Sequence, residues 1–254
     1  MKTFVRSLLL LTAMLAIQGN MAPDTRDDRA KSSAPVMDPE NPTCPAEPNW
    51  TNNKKMTLTP KEKNGTMVLF AEGAIDIGLP DRLKIALENN PEITEIWLRS
   101  PGGDARAGNV AGRIIREEGG ALITRIPAGW TCFSACNFVF MGGRARIIEA
   151  DGGFMVHMFT MTNDRTAINY SVEMGTDSTV ELIGEVEQES ALLATEDNDF
   201  LIRMGVSRKL LTDIMYKQKA VKTDGEDQST RRCLTKEEAL KYNVANVVNL
   251  VDSD

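Results

Sequence analysis

The sequence predicts an α/β fold with parallel strands, and three observations carry that expectation. Apolar runs of strand length alternate with segments whose apolar residues recur at helical spacing. Gly and Pro close several of these segments, as at Gly73, Ser100-Pro101-Gly102-Gly103 and Gly119-Gly120. The stretch from about residue 66 to 254 is one domain's worth of chain, and the protein's 42% hydrophobic content is ample for a core.

Taken in order, Met67-Val68-Leu69-Phe70-Ala71-Glu72 is expected as a strand and Leu79 to Leu87 as a helix. Ile93 to Leu98, with Trp97 inside it, is a second strand, and a helix follows from about Ala107 to Glu117. Ala121 to Ile126 is a third strand. Ser134 to Met141 opens the next helix, and Arg146-Ile147-Ile148 and Phe154-Met155-Val156 are short further strands. From about Val180 to Met204 the pattern is long and helical. Thr235-Lys236-Glu237-Glu238 is a capping-box pattern that opens a helix, and Val244 to Val251 is a last strand.

Ahead of these elements the chain changes character twice. Lys2 and Arg6, the apolar stretch Ser7 to Ile17 and the small residue Gly19 predict a secretory signal over 1–19. That apolar stretch, about eleven residues, falls short of the roughly 20 needed to span a bilayer. No later segment is long and apolar enough, so no membrane span is expected after signal removal, and the expected location is periplasmic or secreted. Residues 20–65 hold seven of the 11 prolines among Asp, Asn, Lys and Ser, a composition that predicts a Pro-rich linker or arm. The formal net charge is -7, its Lys and Arg are scattered, and no nucleic-acid partner is expected.

Four cysteines, Cys44, Cys132, Cys136 and Cys233, in a chain routed to an oxidising space predict disulfides. Three connectivities exist. Cys132–Cys136 with Cys44–Cys233 is favoured because it pins the arm to the C-terminal segment and braces the turn at Ser134. A zinc site is disfavoured, since the lone histidine, His157, would have to serve as a ligand. No metal and no cofactor are expected.

Ligands in α/β sheets gather at the carboxyl ends of parallel strands. Three such ends carry chemistry: Ser100-Pro101-Gly102-Gly103, the Ser134 turn and His157. Together they supply the parts of acyl transfer. Ser134 would attack a carbonyl and His157 would take and return its proton, while the backbone N–H groups of Gly103 and Ala135 would hold the oxyanion. Each part has a plainer reading. Ser-Pro-Gly-Gly is an ordinary turn, Ser134 is a helix cap, and a lone histidine after an apolar run is a half-buried structural residue.

Ser100-Pro101-Gly102-Gly103 with Ala107-Gly108, then Phe133-Ser134-Ala135-Cys136, then Phe154-Met155-Val156-His157, resemble the Clp protease proteolytic subunit and its relatives in the crotonase-like superfamily. Leu234-Thr235-Lys236-Glu237-Glu238-Ala239-Leu240-Lys241-Tyr242 resembles that family's closing segment. The match is closer to secreted or periplasmic Clp-protease-like proteins, which carry cysteines around the serine. The resemblance covers about 66–254 and implies a spiral of ββα units with parallel strands. It implies Ser134 as nucleophile, His157 as base, Gly103 and Ala135 as oxyanion donors, a peptide or protein substrate and a homo-oligomer. The family's third catalytic residue, an aspartate, aligns with Arg231; Asp227 is the assigned substitute, with Asp224 and Glu226 as alternatives. That departure keeps two functions open: an extracytoplasmic serine peptidase, and a catalytically silent protein that binds peptide or a protein partner. An acyl-CoA enzyme fits less well, because CoA is not expected outside the cytosol.

Overall fold

A computed structural model describes residues 36–39, 41–117, 122–162, 164–221 and 230–247. A short ribbon pairs β1 (Met37–Asp38) with β2 (Asn41–Pro45). The main sheet then begins with the antiparallel hairpin of β3 (Thr57–Lys63) and β4 (Thr66–Glu72). Helix α1 (Leu79–Asn89) leads to β5 (Glu95–Arg99), and α2 (Ala105–Glu117) leads to β6 (Ile123–Ile126). Next come β7 (Thr131–Phe133), α3 (Cys136–Met141), β8 (Ala145–Ile148) and β9 (Gly153–His157). Helices α4 (Arg165–Met174), α5 (Thr176–Met204) and α6 (Lys209–Asp213) precede β10 (Arg231–Cys233) and α7 (Lys236–Lys241).

The strands form two layers. The main sheet runs β3-β4-β5-β6-β8, parallel apart from the β3 edge. The second sheet runs β10-β9-β7, with β7 and β9 parallel and β10 antiparallel. Single bridges extend the second layer: Ser100 joins Cys132, and Ile75 joins Gly103. From β4 onward, each strand of the main sheet is thus followed by a piece of extended chain in the second layer and then by a helix. The α/β fold of ββα units follows from this repeated step.

The local sequence explains the elements. Val68 to Ala71 is buried at every residue, as expected of a strand covered on both faces. Strand β5 alternates: Ile96 and Leu98 are fully buried in the core, while Glu95, Trp97 and Arg99 face outward. On that outer face Arg125 donates to Glu95 at 2.9 Å and to Glu149 at 2.8 Å, beside the stacked rings of Phe70 and Trp97. Helix α1 starts with a proline in its first turn and buries Leu79, Leu83 and Leu87 at four-residue spacing. Thr235 and Glu238 form the capping box of α7 by reciprocal side-chain bonds.

The differences from the sequence reading are local and have physical causes. The third strand is Ile123–Ile126; residue 121 lies outside the described residues. The helix expected from Ser134 starts two residues later, because Ser134 itself has a positive φ of 57°. Val244 to Val247 form no strand: the N–H groups of Asn246 and Val247 donate instead to the carbonyl of Arg146. Residues 248–251 of that expected strand, and the expected signal 1–19, lie outside the described residues. The stretch 20–65 is not a linker throughout. Its seven-residue β3 pairs along the whole of β4, Met56 is buried, and Thr131 N–H donates to Asn49 O at 2.9 Å. Strand β3 is a largely exposed edge containing Pro60, so its order comes from backbone pairing and leaves little apolar pattern in the sequence.

Arg146 is the largest fully buried side chain. Its guanidinium donates to the carbonyls of Val244 at 2.7 Å, Gly143 at 2.9 Å and Asn243 at 2.7 Å. Burial, and secondarily the charge of Arg116, lower its pKa to about 10. This one side chain ties the end of α3 to the turn after α7. Arg146→Met takes a donor from each of these carbonyls, and we expect it to lower the unfolding free energy by about 3 kcal/mol or more in urea titration. A loss within about 0.5 kcal/mol, the range of ordinary surface substitutions, would show that the clamp carries no stability.

Candidate active site

The site forms where β7 and β9 end side by side. Their parallel pairing sets Phe133 against Met155, so Ser134 and His157 leave the same edge of the second sheet. Two donors hold the carbonyl of Met155: Ser134 N–H at 3.3 Å and Asn137 Nδ2 at 2.8 Å. These bonds fix the start of α3 against β9. Ser134 Oγ and His157 Nε2 lie 2.7 Å apart, at hydrogen-bond distance. The serine sits in a left-handed conformation that costs a non-glycine residue about 1–3 kcal/mol and persists only where the surroundings impose it.

The disulfide Cys132–Cys136 supplies one such constraint. It spans Ser134 from the end of β7 to the first turn of α3, with Cα atoms 5.4 Å apart and both residues fully buried. The second disulfide, Cys44–Cys233, joins β2 to β10 and packs beside Met155. Both pairings are those favoured from the sequence.

Gly102 and Gly103 reach the turn from the loop between β5 and α2. A Cβ on Gly102 would lie 2.6 Å from Phe133 O and 2.7 Å from Ser134 Cβ, and φ at Gly102 is 85°. Only glycine lets this backbone come so near the serine. Among the described residues, the N–H groups of Gly103 and Ala135 donate no hydrogen bond. The structure therefore brings four of the expected site residues together: Ser134, His157, Gly103 and Ala135. Asp224, Glu226 and Asp227 lie outside the described residues.

The environment of His157 is apolar and cationic. Its ring packs 4.7 Å from that of Phe133, and Arg231 stands opposite it in the β9–β10 register. The Arg231 guanidinium lies 5.8 Å from the Phe133 ring centre. Burial, and then the charge of Arg231, lower the imidazole pKa from 6.5 to about 4. At neutral pH the ring is uncharged, the state in which a nitrogen can accept the serine proton.

A pocket of about 330 Å³ opens from Ser134 and His157 and is lined by Phe138, Leu193, Met215, Tyr216 and Asp197 among others. Asp197 on α5 is 8% exposed, and its Oδ1 has no hydrogen-bond partner among the described residues. Burial, and then the charge of Glu196, raise its pKa to about 7. Asp197 also pushes up the pKa of Tyr216, after burial. Sequence reasoning missed this residue, although a signal was present. Leu193, Asp197, Phe200, Leu201 and Met204 are the buried residues of α5, so the carboxyl occupies a core position of the helix's apolar stripe. Among the described residues no group of three or more His, Cys, Asp or Glu is placed to hold a metal, and no helix is long and apolar enough to cross a membrane.

No family model matches the sequence, and no curated protein does. Among solved structures the chain is similar to that of a point mutant of ClpP1 from Listeria monocytogenes, with a TM-score of 0.48 at 14% identity. That similarity covers 70% of this chain and 88% of the other.

The chain holds one histidine, so its imidazole proton resonances are unambiguous in NMR. Titration of His157 should show a midpoint near pH 4, and Arg231→Gln should move it upward by removing a nearby positive charge. Because the folded pKa is below the ordinary 6.5, the unfolded chain binds this proton more readily. Stability from this group is present above pH 6.5 and is lost as pH falls from there toward 4. A midpoint at or above 6.5 would contradict the burial of the ring.

Proposed function

We propose that this chain is an extracytoplasmic serine hydrolase, a peptidase of the Clp-protease-like kind. The observation that carries the reading is the 2.7 Å approach of Ser134 Oγ to His157 Nε2 on a strained, disulfide-braced turn. Ser134 Oγ attacks the scissile carbonyl while His157 Nε2 takes its proton. Charge develops on the former carbonyl oxygen, where the unengaged N–H groups of Gly103 and Ala135 would stabilise it; one such donor is worth about 2.7–4 kcal/mol. His157 then returns the proton to the leaving amine, and water repeats the sequence on the acyl-enzyme. The pocket beside the pair receives a substrate side chain. Two disulfides and the basic-then-apolar residues of 1–19 support export from the cytosol, with removal of 1–19 as a signal peptide. Large apolar side chains exposed on α4 and α5, among them Tyr170, Val172, Met174, Val180 and Ile183, support a homo-oligomer.

A second reading, a silent member that binds peptide or a partner protein, is favoured by one observation. The residue facing His157 across the β9–β10 pair is a cation, Arg231, and it lowers the basicity that the reaction needs. Asp227, Asp224 or Glu226 would have to offset it. A small fluorophosphonate separates the two readings. A hydrolase labels at Ser134, and Ser134→Ala and His157→Ala each lower the labelling rate by roughly a thousandfold or more. A folded wild-type protein that resists the probe, with a phenotype that Ser134→Ala leaves intact, favours the second reading.

A further inference from the structure

A buried acid without a partner requires a physical reason. Asp197 lies in the wall of the pocket that contains Ser134 and His157, and almost all of its surface is shielded from water. Two acids of the same helix share a cation. Glu189 and Glu196 both pair with Arg106, at 2.6 and 3.6 Å, out on the surface. Among the described residues no Lys or Arg forms an ion pair with Asp197, and its Oδ1 accepts no hydrogen bond. A carboxylate in such a place loses its hydration without compensation, and an apolar residue there would make a more stable core.

The rest of the pocket indicates what would compensate it. Phe138, Leu193, Ala194 and Met215 line the same pocket as Ser134 and Asp197, apolar surroundings suited to the methylenes of a long side chain that carries its charge at the tip. Burial already disfavours the anion in the empty pocket, and an incoming cation beside the carboxyl would favour its ionised form. We propose that Asp197 is the specificity determinant of this site, and that the pocket takes a cationic side chain, lysine or arginine, next to the bond to be cleaved. The proposal deepens the hydrolase reading and rests on it for the words "bond to be cleaved"; the cation site itself stands or falls separately.

Binding of p-aminobenzamidine, followed by its fluorescence, tests the cation site directly on the mature chain. The wild type should bind it saturably, and Asp197→Asn should weaken binding at least tenfold while keeping or raising the melting temperature. Argininamide should displace the probe from the wild type, and citrullinamide, its isostere with an uncharged side chain and the same α-amine, should not, a comparison that needs no variant. Equal displacement by the two amides, or no probe binding to the wild type, overturns the proposal. A matched pair of peptidyl phosphonates, one with an arginine-like and one with a leucine side chain, then adds the reaction. Wild type should label at least tenfold faster with the cationic one, and Asp197→Asn should lose that preference. Failure of every phosphonate and of the uncharged fluorophosphonate sinks the hydrolase reading alone, provided the amide comparison still separates the two ligands.

Discussion

The structure depends on how closely the loop and helix after β5 approach the segment running from β7 into α3. Two glycines make that approach. Gly102 lies so near Phe133 O and Ser134 Cβ that any side chain would collide, and Gly108 brings α2 against the carbonyl of Ala135, 2.5 Å from where a Cβ would stand. Without this contact α3 could not sit in the interior, where all six of its residues are buried. The serine turn would then lose its backing, and the N–H of Gly103 would be removed from the neighbourhood of Ser134. The price is a short helix with polar ends inside a core.

Cations resolve the C-terminal end of that helix. Arg116 donates to Gly142 O and Gly143 O, each at 2.9 Å, and Arg146 shares the carbonyl of Gly143. Carbonyls at a helix C-terminus carry partial negative charge, which offsets much of the desolvation of two guanidinium groups. The two arginines repel each other, and burial lowers the pKa of both. That arrangement is costly, and it is tolerated because among the described residues the carbonyls have no other donors. At the opposite end of α3 a disulfide provides a comparable restraint without charge. It leaves the surroundings of Ser134 apolar, which in turn keeps His157 neutral.

The elements legible in the sequence are those whose order comes from side-chain burial. Strands β4 and β5 and helices α1 and α2 carry apolar residues at strand or helix spacing and stop at Gly or Pro, so period and punctuation agree. Elements held by backbone pairing were not legible. Strand β3 is exposed at most positions, and β7 and β10 are three residues each, too short for any period to appear. Helix α4 buries only Ser171, so its amphipathic signal points at nothing in the core. The same division applies to the site. Ser134, His157, Gly103 and Ala135 stood out because turn residues mark strand ends. Asp197 did not, because a charged residue within Glu196-Asp197-Asn198-Asp199 looks like solvent-facing helix until the buried positions on either side are counted.

The ββα repeat explains why residues so far apart in sequence share one site. Each unit delivers a second-layer segment whose carboxyl end faces the same way as its neighbours', since the connecting strands of the main sheet are parallel. Gly103, Ser134 and His157 come from three successive units, and each lies at or just past the end of its own second-layer segment. Parallel register therefore brings the serine and histidine segments to the same end of the second sheet, and the bonds to Met155 O and the disulfide then set the turn at Ser134. Helix α5 closes the arrangement from outside the repeat. Its buried stripe packs Phe200 edge-on against Phe138 of α3 at 5.2 Å, which places Asp197, one turn earlier on the same stripe, at the pocket that the three units create. The repeat brings Ser134 and His157 together, and the appended helix supplies one wall of the pocket beside them.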